Sequence, residues 1–125
     1  MGLLDMVFGN AKEVNKEKLL EELSPIIVEG EEIEAGFKVI RDMFVFTNKR
    51  LILVDKQGMT GKKVEYLSVP YGNIAAYAIE TAGHFDLDSE LKIYTRCSGM
   101  PMISKQLKKG VDIKGICQIL SKHIL

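Results

Sequence analysis

The sequence predicts a mainly β domain in which short antiparallel strands form a barrel, or two bent sheets, closed by one C-terminal helix. The first observation is that aromatic and β-branched runs alternate with turn-forming residues along residues 41–83, at a spacing typical of a sandwich or barrel. The second is that apolar residues recur at helical spacing over about residues 112–124. A chain of 125 residues with an ordinary apolar fraction is expected to form one domain.

Residues 1–30 are predicted to form a helical extension that packs on the β domain of residues 31–125, or between copies of it. Asn15 can cap a helix from Lys16 to about Leu23, and Pro25 ends this helix because the residue before a proline favours extended geometry. The preceding residues 2–8 (GLLDMVF), which we name the apolar arm, would share one helical face through four side chains: Leu3, Leu4, Val7 and Phe8. This pattern indicates either a segment that touches a membrane or a partner, or a helical turn packed on the domain.

The centre of the β domain is predicted to be a hairpin. A first strand over residues 33–40 and a tight turn lead into two apolar runs, Phe44–Phe46 and Leu51–Val54. Asn48, between these runs, tolerates the backbone geometry that a short hairpin turn requires. Because both strands are apolar on both faces, we expect one face to line the core and the other to meet a helix or another subunit.

Further strands follow along the chain. An alternating stretch over residues 63–69 ends in a turn at Pro70–Asn73, and residues 74–80 form the next strand. Small side chains in that strand favour the close approach of another element: Ala75, Ala76 and Ala78. The strand after it is expected to point two residues inward: Leu91 and Ile93. Residues 101–107 can form the last strand, since a proline fits the start or edge of a sheet.

The C-terminal helix, over about residues 112–124, is predicted to plug one open end of the strands. Its apolar stripe would consist of five residues: Ile113, Ile116, Cys117, Leu120 and Ile124. Ile119 and His123 flank this stripe. His123 lies near the C-terminal end of the helix, where a protonated imidazole interacts favourably with the helix dipole.

Composition narrows the function classes. Lysines and arginines number 17 and acidic residues also number 17, so no overall positive field indicates a nucleic-acid partner. No apolar run approaches the roughly 20 residues that span a bilayer, and the start of the chain lacks the pattern of a signal peptide. Cys97 and Cys117 fit neither a disulfide framework nor a zinc site, and we interpret them as free buried thiols. We therefore expect a cytoplasmic protein, which could also associate with a membrane surface.

The sequence predicts no catalytic residues, no cofactor-binding residues and no metal ligands. Asp86, Asp88 and Glu90 alternate, but the positions that would hold the glycine and the bidentate glutamate of an EF-hand calcium loop are occupied by Leu91 and Cys97. Neither His84 nor His123 has a catalytic partner nearby in sequence, and there is no glycine-rich phosphate loop or nucleophile elbow. An enzyme is thus the least expected class.

One basic cluster is a candidate anion or lipid site. Its members are predicted to lie at neighbouring strand ends: Arg41, Lys49, Arg50, Lys62 and Lys63. Basic residues close to an anionic lipid surface contribute about 1 kcal/mol each. The alternative is a solvated turn region whose charges discourage edge-to-edge aggregation.

The chain resembles the bacterial pleckstrin-homology (PH) domain family. The resemblance lies in an ordered series of short motifs: Val39–Asp42, Phe46–Arg50, Ser68–Tyr71, Glu80–Gly83, Asp86–Asp88 and Glu90–Ile93. It implies a PH-like barrel of seven antiparallel strands with a C-terminal helix, an added N-terminal helical segment, and homo-oligomers that can be rings. It implies no known ligand. Eukaryotic lipid-binding members grip phosphates around a long, basic first hairpin loop, whereas here that loop is short and sets Arg41 beside Asp42.

Two function classes remain open. The first is a non-enzymatic interaction or scaffold module that self-associates and binds a protein or peptide, which the doubly apolar hairpin, sheet edges and apolar arm favour. The second is a peripheral domain that binds a membrane surface or an anionic headgroup through the basic cluster.

Overall fold

In the residues that the structure describes, seven strands form two antiparallel sheets, and two helices pack against them. The computed structural model describes residues 16–39, 42–57, 62–80, 89–96, 101–107 and 113–125. The first sheet has four strands in sequence order: β1 (Ile33–Val39), β2 (Asp42–Thr47), β3 (Arg50–Gln57) and β4 (Lys63–Pro70). The second sheet has three: β5 (Ile74–Glu80), β6 (Ser89–Thr95) and β7 (Pro101–Leu107). The helices are α1 (Lys16–Leu23) and α2 (Ile113–Ile124).

The predicted hairpin is confirmed, and both of its faces are covered. Strands β2 and β3 meet across the two-residue turn at Asn48 and Lys49, with Phe46 opposite Leu51. The side chains on one face of the hairpin lie in the main core between the sheets. This core consists of Ala35, Phe37, Phe44, Phe46, Leu51, Leu53, Val69, Ile74, Leu91, Ile93 and Ile103, together with Ile116, Ile119 and Leu120 from α2. The side chains on the other face pack against α1 in a second cluster. This cluster consists of Leu19 and Leu23 from α1 and of Ile33, Met43, Val45, Ile52 and Val54 from the first sheet. The outer face of the hairpin is thus covered by this chain's own helix.

The two sheets are joined by a crossover and not by a continuous ladder. Pro70 is followed by a 3-10 turn over Tyr71–Asn73, which turns the chain out of the first sheet before β5 begins. The backbone N–H of Arg96, after β6, donates to the Asn73 carbonyl at 3.0 Å, and its Nε donates to the Gly72 carbonyl at 2.7 Å. In the described part of the chain no strand belongs to both sheets. The expected closed barrel is therefore corrected to the two-sheet alternative.

Helix α2 packs on the core, but its buried stripe is rotated from the predicted one. Ile116, Ile119 and Leu120 are completely buried, whereas Cys117 is only half-buried and is a free thiol. The predicted stripe contains Cys117 as a buried thiol and leaves Ile119 on its flank, and the structure reverses the positions of these two residues. The larger Ile119 side chain faces the core instead, because burying it removes more apolar surface from water.

Several predicted features lie outside the described residues. They are the apolar arm, the cap at Asn15, Arg41, His84, Asp86, Asp88, Cys97 and the start of the last helix at residue 112.

Candidate functional site

Of the five predicted basic residues, Arg41 lies outside the described residues, and the structure does not bring the other four together. Lys49 and Arg50 lie at the β2–β3 turn, where Arg50 pairs with Pro70, whereas Lys63 pairs with Gln57 at the far end of β3. Seven residue steps along a strand at roughly 3.3 Å each separate these two ends by about 23 Å. Lys62 and Lys63 are both exposed. Anion binding by this pair stays a prediction.

Arg50 directs its guanidinium into the protein. Its Nε donates to Glu31 Oε2 at 2.8 Å and its Nη2 donates to Glu31 Oε1 at 2.9 Å. The remaining donors reach Ser68 Oγ at 2.8 Å and the carbonyl of Ile26 at 2.5 Å. The hydrogen bonds from Arg50 lower the pKa of Glu31 from 4.5 to about 2, although burial opposes this shift. The contacts of Arg50 are thus structural: they anchor the segment before β1 to the hairpin.

The turn residues beside Arg50 complete this anchor. Thr47 Oγ1 donates to Glu31 Oε2 at 2.7 Å and accepts from the Arg50 backbone N–H at 3.0 Å. Asn48 Oδ1 accepts from the Glu32 N–H at 2.7 Å, and Asn48 Nδ2 donates to the Gly30 carbonyl at 3.0 Å. Gly30 has a φ of +84°, which glycine adopts without strain. We name Glu31, Thr47, Asn48 and Arg50 the Glu31 network.

The C-terminal end of α2 is fixed by a second group, which we name the His123 clasp. His123 Nε2 lies 2.7 Å from Glu34 Oε1 of β1, and Lys122 Nζ lies 3.9 Å from the same oxygen. The imidazole stacks on the ring of Tyr71, with centroids 4.1 Å apart and an interplanar angle of 1°. The Tyr71 hydroxyl donates to the Thr47 carbonyl at 2.7 Å, and burial raises the pKa of this tyrosine, so the hydroxyl remains a donor. The clasp therefore joins α2, the 3-10 turn and the first sheet.

A surface groove of about 520 Å³ lies where α1, the start of β1 and the end of α2 meet. Seven of the described residues line it: Lys16, Leu20, Glu31, Glu32, Ile33, Glu34 and Lys122. Leu20 is 41% exposed there, whereas Leu19 and Leu23 of the same helix are buried. The sequence did not predict this groove, because it is assembled from three segments that lie far apart along the chain.

Two further statements hold for the described residues. No group of three or more histidine, cysteine, aspartate or glutamate side chains there could hold a metal ion. No helix in the same part of the chain is long and apolar enough to cross a membrane.

Comparisons with known proteins identify relatives over almost the whole chain. The uncharacterized protein YjqA of Bacillus subtilis (strain 168) is 52% identical over 121 residues, which cover 97% of each chain. A crystal structure of a pleckstrin homology domain from Shewanella amazonensis SB2B is similar with a TM-score of 0.83 and 50% identity, over 99% of both chains. A family DUF1696 protein with a pleckstrin-homology domain from Shewanella loihica PV-4 gives a TM-score of 0.80 and 52% identity, over 90% of this chain and 95% of its own.

The family model described as bacterial PH domain matches residues 2–124. This match agrees with the two antiparallel sheets and C-terminal helix of the structure, and it confirms the resemblance drawn from the short motifs. The chain belongs to the bacterial PH domain family.

Proposed function

We propose that this protein is a non-enzymatic interaction module that self-associates and binds a protein or peptide partner. The observation that carries the proposal is the unpaired edge of strand β5 in the described residues. This strand pairs with β6 alone in the described part of the chain, so its second edge has no strand partner there. Such an edge is a template for pairing with another chain.

The side chains of β5 support the same conclusion. Three of its residues are exposed and small: Ala75, Ala76 and Ala78. The sequence favoured close approach of another element at these alanines, and the described elements of this chain leave all three exposed. A second subunit is the occupant that we propose.

Strand β4 also has an edge with no strand partner in the described residues, and this second edge makes a closed assembly feasible. Strand β4 forms the other end of the first sheet, and Tyr66 on it is 36% exposed. Because β4 and β5 present different surfaces, an interface between the β4 edge of one subunit and the β5 edge of the next would be head-to-tail. Such interfaces close into rings when the rotation permits. A peptide partner would add to an edge that the assembly leaves free.

Absolute mass in solution tests self-association. We would measure light scattering on a sizing column over a wide dilution and expect a discrete oligomer that persists. Ala78→Glu should reduce its mass, because the new carboxylate obstructs the interface while lying opposite Lys92 within its own sheet. Gln118→Glu, on the exposed face of α2, adds the same charge and should leave the mass unchanged. A monomer at every concentration would contradict the proposal.

The alternative function is binding to an anionic membrane surface. It is favoured by exposed Lys62 and Lys63 at the start of β4, at the same end of the first sheet as the short β1–β2 connection. We would measure sedimentation with vesicles that contain anionic lipid. Lys62→Glu combined with Lys63→Glu should abolish binding, whereas Lys49→Glu, at the opposite end of β3, should have little effect. Binding that survives the double reversal would exclude this surface.

A further inference from the structure

We propose that β4 of one copy pairs with β5 of the next in a single antiparallel register, which sets Lys62 opposite Glu80. This inference rests on the self-association proposed above and specifies its interface. In the described part of the chain, β4 pairs only with β3 and β5 pairs only with β6, so each keeps one edge whose backbone groups have no strand partner there. A ladder between two copies would satisfy both edges at once.

The faces of the two sheets restrict the register. Tyr66 lies on the α1 side of the first sheet, since its hydroxyl donates to a glutamate of α1 at 3.4 Å. Ala78 lies on the outer side of the second sheet, since its partner Lys92 alternates with the core residues of β6. Both sides face away from the main core. Because side chains alternate along a strand, a ladder that keeps both cores covered must align the even-numbered residues of 62–66 with those of 76–80.

Charge favours one of the registers that remain. In it the exposed Lys62 faces Glu80, whose side chain is 65% exposed. Within its own subunit Glu80 lies 3.6 Å from the ammonium of Lys92, and its two carboxylate oxygens can accept from a second lysine that a neighbouring copy supplies. A shift by two residues in either direction would remove this pair of opposite charges.

Size favours the same register. Tyr66 is 36% exposed on β4, and it would lie opposite Ala76, whose short side chain leaves room for the ring. The half-buried Val64 would lie opposite Ala78. Large side chains opposite small ones let two strands approach without a clash. The side chains of a neighbouring β4 would therefore cover the alanines that β5 leaves exposed.

Reversing the two charges tests the register. Lys62→Glu sets two carboxylates opposite each other, so the concentration at which the oligomer dissociates, measured by light scattering over a dilution series, should rise several-fold. Adding Glu80→Lys to the same chain should restore the mass, because every interface regains a pair of opposite charges. Lys63→Glu is the matched control, since Lys63 is also exposed but would lie opposite Ile79, and Glu80→Lys should not rescue any loss that it causes. Circular dichroism would verify that each variant is folded.

Cysteine crosslinking measures the alignment of the two strands directly. Tyr66→Cys and Ala76→Cys are placed in one chain whose natural Cys97 and Cys117 are replaced by serine. Directly opposite residues have Cα atoms about 4.5–5.5 Å apart, within the range that a disulfide bridges, whereas diagonal neighbours are about 7–8 Å apart. Oxidation should therefore give covalent oligomers on a non-reducing gel, and several-fold less of them when Ala78→Cys replaces Ala76→Cys.

The outcomes separate this register from the self-association on which it rests. An oligomer that Lys62→Glu leaves unchanged, or crosslinks that form through Ala78→Cys and not through Ala76→Cys, would refute the register while self-association stands. A natural protein that is monomeric at every concentration would contradict self-association and the register with it.

Discussion

His123 Nε2 and Glu34 Oε1 lie 2.7 Å apart, although 89 positions separate the two residues in the sequence. The contact joins the last turn of the C-terminal helix to the first strand of the domain. The stacked ring of Tyr71 covers the imidazole, whose side chain is only 13% exposed. We expect this group to contribute measurably to stability, because it fixes a helix that otherwise docks mainly through apolar contacts.

Removing the clasp should lower the free energy of unfolding. We expect His123→Ala to cost about 1–3 kcal/mol, since it removes a hydrogen bond to a carboxylate and a stacked ring. His123→Phe should cost less, because it keeps the stacking and loses only the bond. Urea unfolding measures both. Equal losses in the two variants would mean that the stacking contributes nothing.

Glu31 should make the free energy of unfolding depend on pH in the acidic range. Its pKa is lowered from 4.5 to about 2 in the folded state, so the stabilisation it provides is present above the unfolded pKa and is lost as the pH falls from about 5 towards 2. Glu31→Gln should cost about 3 kcal/mol at pH 7, because Arg50 then lacks its charged partner. The variant should also lose less stability than the natural protein between pH 5 and pH 3.

Unfolding free energies at several pH values check this prediction. Glu21→Gln, an exposed position on α1, is the control and should leave both the stability and its pH dependence nearly unchanged. An acid response that persists undiminished in Glu31→Gln would show that other carboxylates cause it.

A row of carboxylates crosses the first sheet. Asp42 lies opposite Asp55, and Asp55 lies opposite Glu65, at the edge of the main core. Like charges directly opposite each other destabilise a sheet by roughly 0.2–1 kcal/mol per pair. Glu65→Lys should therefore stabilise the protein by about 0.5–1 kcal/mol, and Glu65→Gln by less. The gain should shrink in high salt, which thermal unfolding at two salt concentrations would reveal.

The rotated stripe of α2 predicts that truncating Ile119 costs more stability than truncating Cys117. Ile119→Ala should cost about 2–4 kcal/mol, because it leaves a cavity in the main core. Cys117→Ala should cost less than about 1 kcal/mol, since Cys117 is only half-buried and loses a smaller group. Denaturant midpoints of the two variants measure the difference. Similar losses of stability in the two variants would instead support the apolar stripe that the sequence predicted, which includes Cys117.

The sequence predicted the strands well because turn residues mark their ends. Residues 74–80 and 101–107 were predicted with the bounds that the structure shows, and the Asn48–Lys49 turn gave the central hairpin. The same local signals could not show whether β4 and β5 share a ladder. That depends on how far the crossover at Pro70 turns the chain, so the sequence left open a closed barrel or two bent sheets, and the structure has two sheets.

The side-chain groups were beyond sequence reasoning for a different reason. The sequence predicts Arg50 to be a surface cation, because the residues next to it in the sequence do not indicate that it will pair with Glu31. Glu31 lies 19 positions away and is buried in the structure. The partners of His123 and the lining of the groove likewise depend on how α1, β1 and α2 are placed relative to one another. Local periodicity sets which face of a helix is apolar, but not which charged residue its polar atoms will meet.

The sequential order of strands in both sheets has a consequence for folding kinetics. Within each sheet, every strand pairs only with strands next to it along the chain, so both sheets can grow by forming successive hairpins with short loop closures. The contact between Glu34 and His123 closes a far longer loop and should form after the main barrier. We expect a φ-value near zero for His123→Ala and a higher one for Phe46→Leu in the hairpin, so that the C-terminal helix docks on a preformed first sheet.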